Sequence, residues 1–344
     1  MSVFIRGCGA VSPAGWGVTA LANCLVRGEP VPAKDIVRPG WTQPLRGRTV
    51  PPPSTRPAFL AHPRLRRTSP IAQYTVAAAL EALGQNAPQP GRDLTKLGIV
   101  VCVMAGCVNY SRRFYAETLK DPATASPLVF PETVLNAPAS HLAAFLGATA
   151  INYTLVGDQG TFLQGIALAA DWLRDKRVDA CLVVAAEEID WLTADAAKLF
   201  DPEVIVGEGA GALYLSGDAG DGPAVRLEAI TGAHLFTTSQ MRRQAPRRAR
   251  AELGSSRPDS MLCDGVQGAP RLDRDEIDAW RDWTGPRLSP KMVLGESFVA
   301  GAAWQCVAAV DLLRRGQHSV ADVSVVGSNQ QAIAARFVAG PQTN

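Results

Sequence analysis

The chain is 344 residues long, 47% hydrophobic and 19% charged, with a formal net charge of +2. That composition belongs to a globular protein with a large core. It excludes a disordered chain and gives no case for nucleic acid as a bulk partner.

In chain order, the first half, 1–217, predicts strands at 3–7, 97–103, 152–156, 180–186 and 210–215. Helices are expected at 18–26, 69–83, 109–119, 137–145, 161–175 and 193–199. Buried strands alternating with helices read as an α/β layered fold. The stretch 33–64 is rich in Pro and Arg and reads as an irregular surface excursion. A flexible turn, Gly217 to Gly220, opens the second half, 218–344. There the pattern predicts strands at 224–231, 260–263 and 323–326, with 334–338 as a final edge, and helices at 237–244, 274–283 and 301–314. No apolar run reaches ~18 residues, so no membrane span is expected. Arg6 and two glycines interrupt the apolar N-terminal stretch, which therefore does not read as a secretory signal. The seven cysteines form no metal-ligand spacing, so neither metal nor cofactor is implied, and their odd number suits a reducing cytoplasm.

The run from Ala150 to Asp190 is the most informative. A β-rich segment (Ile151, Asn152, Tyr153, Thr154, Leu155, Val156) meets a sharp polar turn, Gly157-Asp158-Gln159-Gly160, and then a helix of small and apolar residues. Strand, tight turn and helix together expose a reactive side chain at a helix N-terminus, where orphan N–H groups favour an anion. The tip should be Cys or Ser. It is Gln159, whose amide cannot ionise into a nucleophile.

Five motifs in order carry a family resemblance: VFIRGCGAVSPAGWG, SPIAQYTVAAALEALG, NAPASHLAAFLG, GEGAGALYL and KMVLGESFVAGAAWQCVAAVDLL. Together they resemble the β-ketoacyl synthases. The resemblance implies a thiolase-like α-β-α-β-α fold of two pseudo-symmetric halves, the second one shortened. The family's site holds an acyl chain on a Cys thiolate, and two His residues assist decarboxylation. Here the Cys position reads Gln159, the first His position matches Asp264 in DGVQG, the second reads Glu296, and the family's Lys matches Lys291. None of the four histidines, His62, His141, His234 and His318, falls at a catalytic position. The closing Asn-Ser-Phe-Gly motif is reduced to VVGSNQQ, without its Phe. Carboxylates where negative charge develops would oppose condensation as well as fail to assist it.

The resemblance implies no catalytic residues. It implies instead a subunit like the chain length factors, noncatalytic partners of ketosynthases that shape the acyl tunnel. Its partners would be a ketosynthase, as a heterodimer, or a second copy, and an acyl carrier protein. Tyr110, Phe114, Leu128, Phe130 and Thr133 are tunnel candidates, the alternative being core packing. Arg64, Arg66 and Arg67 are candidates for carrier docking, the alternative being a solvated face. The second basic run (Arg242, Arg243, Arg247, Arg248, Arg250) reads as a solvated face, a docking surface or a mobile loop. Residues 151–156 are expected to pair with a partner's copy. His141 reads as structural, with Asn136 and Pro138 at the start of its helix. Lys291, Glu296 and Asp264 are either separate surface charges or an ion cluster in a vestigial pocket. Three other functions remain open: a malonyl-carrier decarboxylase supplying starter units, a homodimeric scaffold, and a new enzyme using Asp158, Asp264 or Glu296 as acid or base.

Overall fold

A computed structural model describes residues 1–84, 94–220 and 222–340. Ten strands form its main sheet: β1 (Val3–Ser12), β2 (Leu97–Val103), β3 (Asn152–Val156), β4 (Ala180–Glu187), β5 (Gly209–Ser216), β6 (Val225–Ile230), β7 (Ser260–Cys263), β8 (Arg287–Leu288), β9 (Val320–Val326) and β10 (Gln331–Ala339). They lie in the order β8-β7-β9-β10-β6-β1-β5-β4-β2-β3, and the two-residue strands Gly15–Trp16 and His234–Leu235 attach beside β1 and β10.

The order repeats. In the first half β5 runs antiparallel between β1 and β4, and β4, β2 and β3 are parallel. In the second, β10 runs antiparallel between β6 and β9, and β9, β7 and β8 are parallel. The halves join where β1 and β6 pair antiparallel, Val3 opposite Leu227. This is the layered α/β fold of two pseudo-symmetric halves that the motifs implied.

The helices are α1 (Val18–Arg27), α2 (Pro70–Leu83), α3 (Val108–Lys120), α4 (Ala137–Leu146), α5 (Thr161–Arg174), α6 (Trp191–Ala197), α7 (Ser239–Leu253), α8 (Pro270–Ala279), α9 (Pro290–Leu294) and α10 (Phe298–Arg314). The middle layer is α5 and α10. One core joins their side chains to strands of both halves, among them Val100, Val183, Val323 and Phe337. Trp304 lies wholly inside, its indole N–H shared between the carbonyls of Val11 (3.1 Å) and Ala210 (3.0 Å). A helix apolar on nearly every side, as α10 is, belongs in an interior. Its close approach needs Gly211 on β5, where a Cβ would stand 2.6 Å from the Cβ of Ala303. An outer layer of α2 and α4 covers the far face of the first half, and α7 covers that of the second. Strands β2 and β4 are buried along nearly their whole length, which their unbroken apolar runs encode.

Three expectations are corrected. The excursion 33–64 is not wholly irregular: Lys34–Ile36 and Leu45–Arg48 form a small sheet with Val206–Gly207. Arg48 is buried there and its Nε donates to the Val31 carbonyl (2.7 Å), a contact that composition cannot reveal. The strand at 334–338 is not an edge, because β10 lies between β9 and β6. The second basic run is not a loop. It lies on α7, which continues through Pro246 to Leu253 because Ala245, Pro246, Ala249 and Leu253 are all buried. Arg242, Arg247 and Arg250 pair with Asp275, Asp278 and Asp282 across the α7–α8 groove.

Candidate functional site

The elbow forms as expected. β3 ends at Val156, the chain turns, and α5 starts at Thr161. Gln159 at its tip is 1% exposed. Its Nε2 donates to Ser328 Oγ (2.8 Å), and its Oε1 accepts from the Ser328 backbone N–H (3.0 Å). Both ends of the amide are therefore committed to the closing loop between β9 and β10. Asp158 reinforces that clamp. Its carboxylate accepts the backbone N–H groups of Gln330 (3.1 Å) and Gln331 (3.3 Å), Gln331 Nε2 (3.0 Å) and the Gly160 N–H (3.3 Å). Gly327 is required, since a Cβ there would stand 1.8 Å from Asp158 Oδ2. Burial pushes the Asp158 carboxyl above its ordinary value, against the pull of those donors.

The second arm comes from the other half. Lys291 on α9 and Glu296 before α10 are 1% and 2% exposed and pair at 2.9 Å. Glu296 is fixed by its backbone. Its N–H donates to the Ile205 carbonyl (2.9 Å) and its own carbonyl accepts from Gly207 (2.7 Å). Asp264 lies at the end of β7, 1% exposed, accepting from Ser289 Oγ (2.6 Å) and the Val266 N–H (3.2 Å), with Arg287 at 3.4 Å. Lys291, Glu296 and Asp264 are thus buried, not surface charges.

Sequence reasoning missed Glu276. It is buried on α8, where Oε1 accepts from Ser324 Oγ and Oε2 from the Gly265 N–H (3.2 Å). Burial raises its pKa to about 8, and the neighbouring charge of Asp264 adds to the rise. The run RLDRDEIDA reads as solvated, yet Glu276 stands four residues after Leu272 and three before Ala279, both buried. That spacing is the signal that places it inward. Ser328 was equally missed; only its position in the degenerate closing motif marks it.

The ionisable side chains of the site are four buried carboxyls, Asp158, Asp264, Glu276 and Glu296, and Lys291. All seven cysteines are buried and free, and burial pushes the Cys8 thiol up to about 11. His141 Nε2 faces Glu132 (2.8 Å), His234 faces Glu252 (2.9 Å) and His318 lies 3.8 Å from Asp259, while the His62 Nδ1 accepts the Arg64 N–H (3.3 Å). No side-chain hydrogen bond joins any of them to Gln159, Asp264, Lys291 or Glu296 among the described residues. Asn136 precedes α4 without a side-chain cap. No group of three or more metal-binding side chains occurs among the described residues. Nor is any described helix long and apolar enough to cross a membrane.

The remaining candidates lie on α3, on the segments that contact it and on β3. Phe114 on α3 is half-buried and its ring packs on exposed Phe130 at 5.5 Å between centroids, so neither is core. Leu128 is exposed and Thr133 half-buried. The Tyr110 hydroxyl donates to the Arg67 carbonyl (2.7 Å), tying α3 to the basic segment. Arg64, Arg66 and Arg67 are exposed and make no ion pair among the described residues. β3 is the outer strand of the sheet, with Tyr153 and Val156 exposed.

Comparisons agree with this architecture. The ishigamide ketosynthase/chain length factor is 18% identical, with a TM-score of 0.81 over 99% of this chain and 100% of that one. A β-ketoacyl synthase from Burkholderia phymatum STM815 is 15% identical, with a TM-score of 0.79 over 99% and 100%. The ketosynthase ApeO in complex with its chain length factor ApeC from Xenorhabdus doucetiae is 14% identical, with a TM-score of 0.77 over 98% of each chain. Curated proteins give no match. The β-ketoacyl synthase N-terminal domain model matches residues 1–218, well over half the chain. Fold, motif order and that match together place this chain in the β-ketoacyl synthase family.

Proposed function

We propose that the protein is a noncatalytic, chain-length-factor-like subunit that pairs with an active ketosynthase and shapes an acyl tunnel with it. The observation that carries this reading is the double hydrogen bond between the Gln159 amide and Ser328. The place where an acyl chain would be held is filled by an amide locked to the closing loop. The second arm is equally unsuited to condensation. An enolate needs donors aimed at its developing charge. The cationic donors there already face carboxylates, Lys291 facing Glu296 and Arg287 facing Asp264. The same lack of free donors tells against a starter-generating decarboxylase.

The pairing surface in this reading is the β3 edge. Ile99 donates to the Ile151 carbonyl (2.9 Å) and Gly157 to the Val103 carbonyl (3.1 Å). Alternation between these bonds turns the N–H of Thr154 outward, ready for a partner strand. Phe114 and Phe130 would cap a tunnel at that interface, and Arg64, Arg66 and Arg67 would meet the acidic face of a carrier protein.

The test is reconstitution. The chain alone, given acyl- and malonyl-carrier protein, is expected to form no β-ketoacyl product, and Gln159→Cys is expected not to restore it. With a cognate ketosynthase it should form a one-to-one complex whose products differ in length from those of the ketosynthase alone. Sustained condensation by the isolated chain, or rescue by the single substitution, would overturn the reading.

A further inference from the structure

A cavity of about 180 Å³ opens between α1, α10 and the β8 edge of the sheet. None of Gln159, Asp264, Lys291 or Glu296 lines it. Its floor is apolar and buried: Val18, Leu21 and Leu25 from α1, Ala308 from α10 and Met261 from β7. Its rim is polar. Arg287, Asp311, Arg315 and His318 stand there. Asp311 is bound to Arg315 at 2.8 Å, one turn along α10. Arg287 leans on buried Asp264, which does not line the cavity, at 3.4 Å. His318 Nδ1 faces Asp259 at 3.8 Å. Each cation of the rim already faces one carboxylate, but Asp311 meets Arg315 and Asp264 meets Arg287 only through Nε, so both guanidinium groups keep terminal N–H groups for a further acceptor.

Size and charge together select a ligand class. An apolar cavity of about 150 Å³ takes up a benzene ring, whereas water gains nothing from an apolar floor. Guanidinium groups hold a carboxylate through paired N–H donors. We propose that this cavity binds a small monocarboxylate with an apolar body of about six to eight carbons, its carboxylate held at the rim by Arg315 and Arg287. Because Arg287 also neutralises Asp264, an occupied cavity would loosen one contact of the buried charge cluster. The cavity would then act on the degenerate site from outside it. This inference does not depend on the chain being noncatalytic.

The experiment is a titration of the intact chain with benzoate, followed by methyl NMR, with benzyl alcohol and benzylamine as neutral and cationic counterparts. Benzoate is expected to shift the Leu21, Leu25 and Met261 methyls saturably and to bind at least about tenfold more tightly than either counterpart. Ala308→Leu, which fills the floor, is expected to abolish these shifts. Ala22→Leu fills it from the opposite wall should the first variant not fold. Arg315→Gln is expected to weaken benzoate alone. Absence of saturable shifts, equal affinity for all three probes, or benzoate binding that persists in a folded filling variant would overturn the proposal.

Discussion

Lys291→Met is the most informative perturbation of the buried cluster. The substitution keeps the apolar stem that packs against α10, where a Cβ at Gly301 would stand 3.1 Å from Lys291 Cε. It removes only the ammonium. Glu296 then keeps a charge at 2% exposure with no counterion at 2.9 Å, and its Oε1 already accepts no hydrogen bond. Breaking one side of a buried pair costs about 3–5 kcal/mol. Unfolding 344 residues carries an entropy of about 0.7 kcal/mol/K at about 2.1 cal/mol/K per residue, so the melting temperature should fall by about 4–7 °C. The double variant Lys291→Met/Glu296→Leu removes both charges and should recover most of that loss, since apolar replacement of a whole buried pair is often neutral or stabilising. Calorimetry of the three proteins at pH 7 is the assay. A single variant melting within about 1 °C of the parent would mean that the pair is solvated. A double variant as unstable as the single one would mean that shape, not charge, holds the site.

Other outcomes follow from the same geometry. Glu276 titrates near 8 when folded and near 4.5 when unfolded, so between those values the folded chain keeps a proton that the unfolded chain has lost. Its stabilising contribution is full below about 4.5, is lost as pH rises to about 8 and is constant above that. Glu276→Gln should therefore flatten the fall in unfolding free energy between pH 5 and 8, read from urea titrations, by at most about 1.4 kcal/mol per pH unit; an unchanged slope refutes the assignment. Thr154→Pro removes an outward N–H without touching the β2–β3 ladder, so light scattering should detect loss of self-association or of the ketosynthase complex, while the melting curve stays put. Phe114→Ala should cost well below the ~3–5 kcal/mol of a core phenylalanine, because the ring is half-buried against exposed Phe130. In the reconstituted pair it should lengthen products by whole two-carbon units in mass spectra; unchanged lengths would remove Phe114 from the tunnel.

Much of the fold was legible because its signals are local. The apolar runs of β2 and β4, the small-residue helices α5 and α10 and the glycine-rich β5 each encode their own burial. β8 was not legible, because two residues, Arg287 and Leu288, carry no periodicity and are strands only through pairing with Leu262 and Cys263. Residues 33–64 hid their strands because Arg48 is satisfied by carbonyls of Val31 and Met292, the second far away in sequence. Position along the chain likewise gave β10 as an edge, since nothing local to it says that β6 lies on its other side.

The site follows the same division. Gln159 was legible as a substitution at a turn whose shape its neighbours fix. What the amide does depends on Ser328, 169 residues away, and no spacing rule joins them. The two halves of the fold converge there. The elbow of one half is clamped by the closing loop of the other, through Gln159 to Ser328 and Asp158 to Gln330 and Gln331. A catalytic elbow must leave its tip open to substrate. This one commits both ends of the Gln159 amide to the other half, so the residue at the tip supplies structure. Gln159→Cys would therefore delete two hydrogen bonds between the halves, and it is expected to lower the melting temperature without conferring condensing activity.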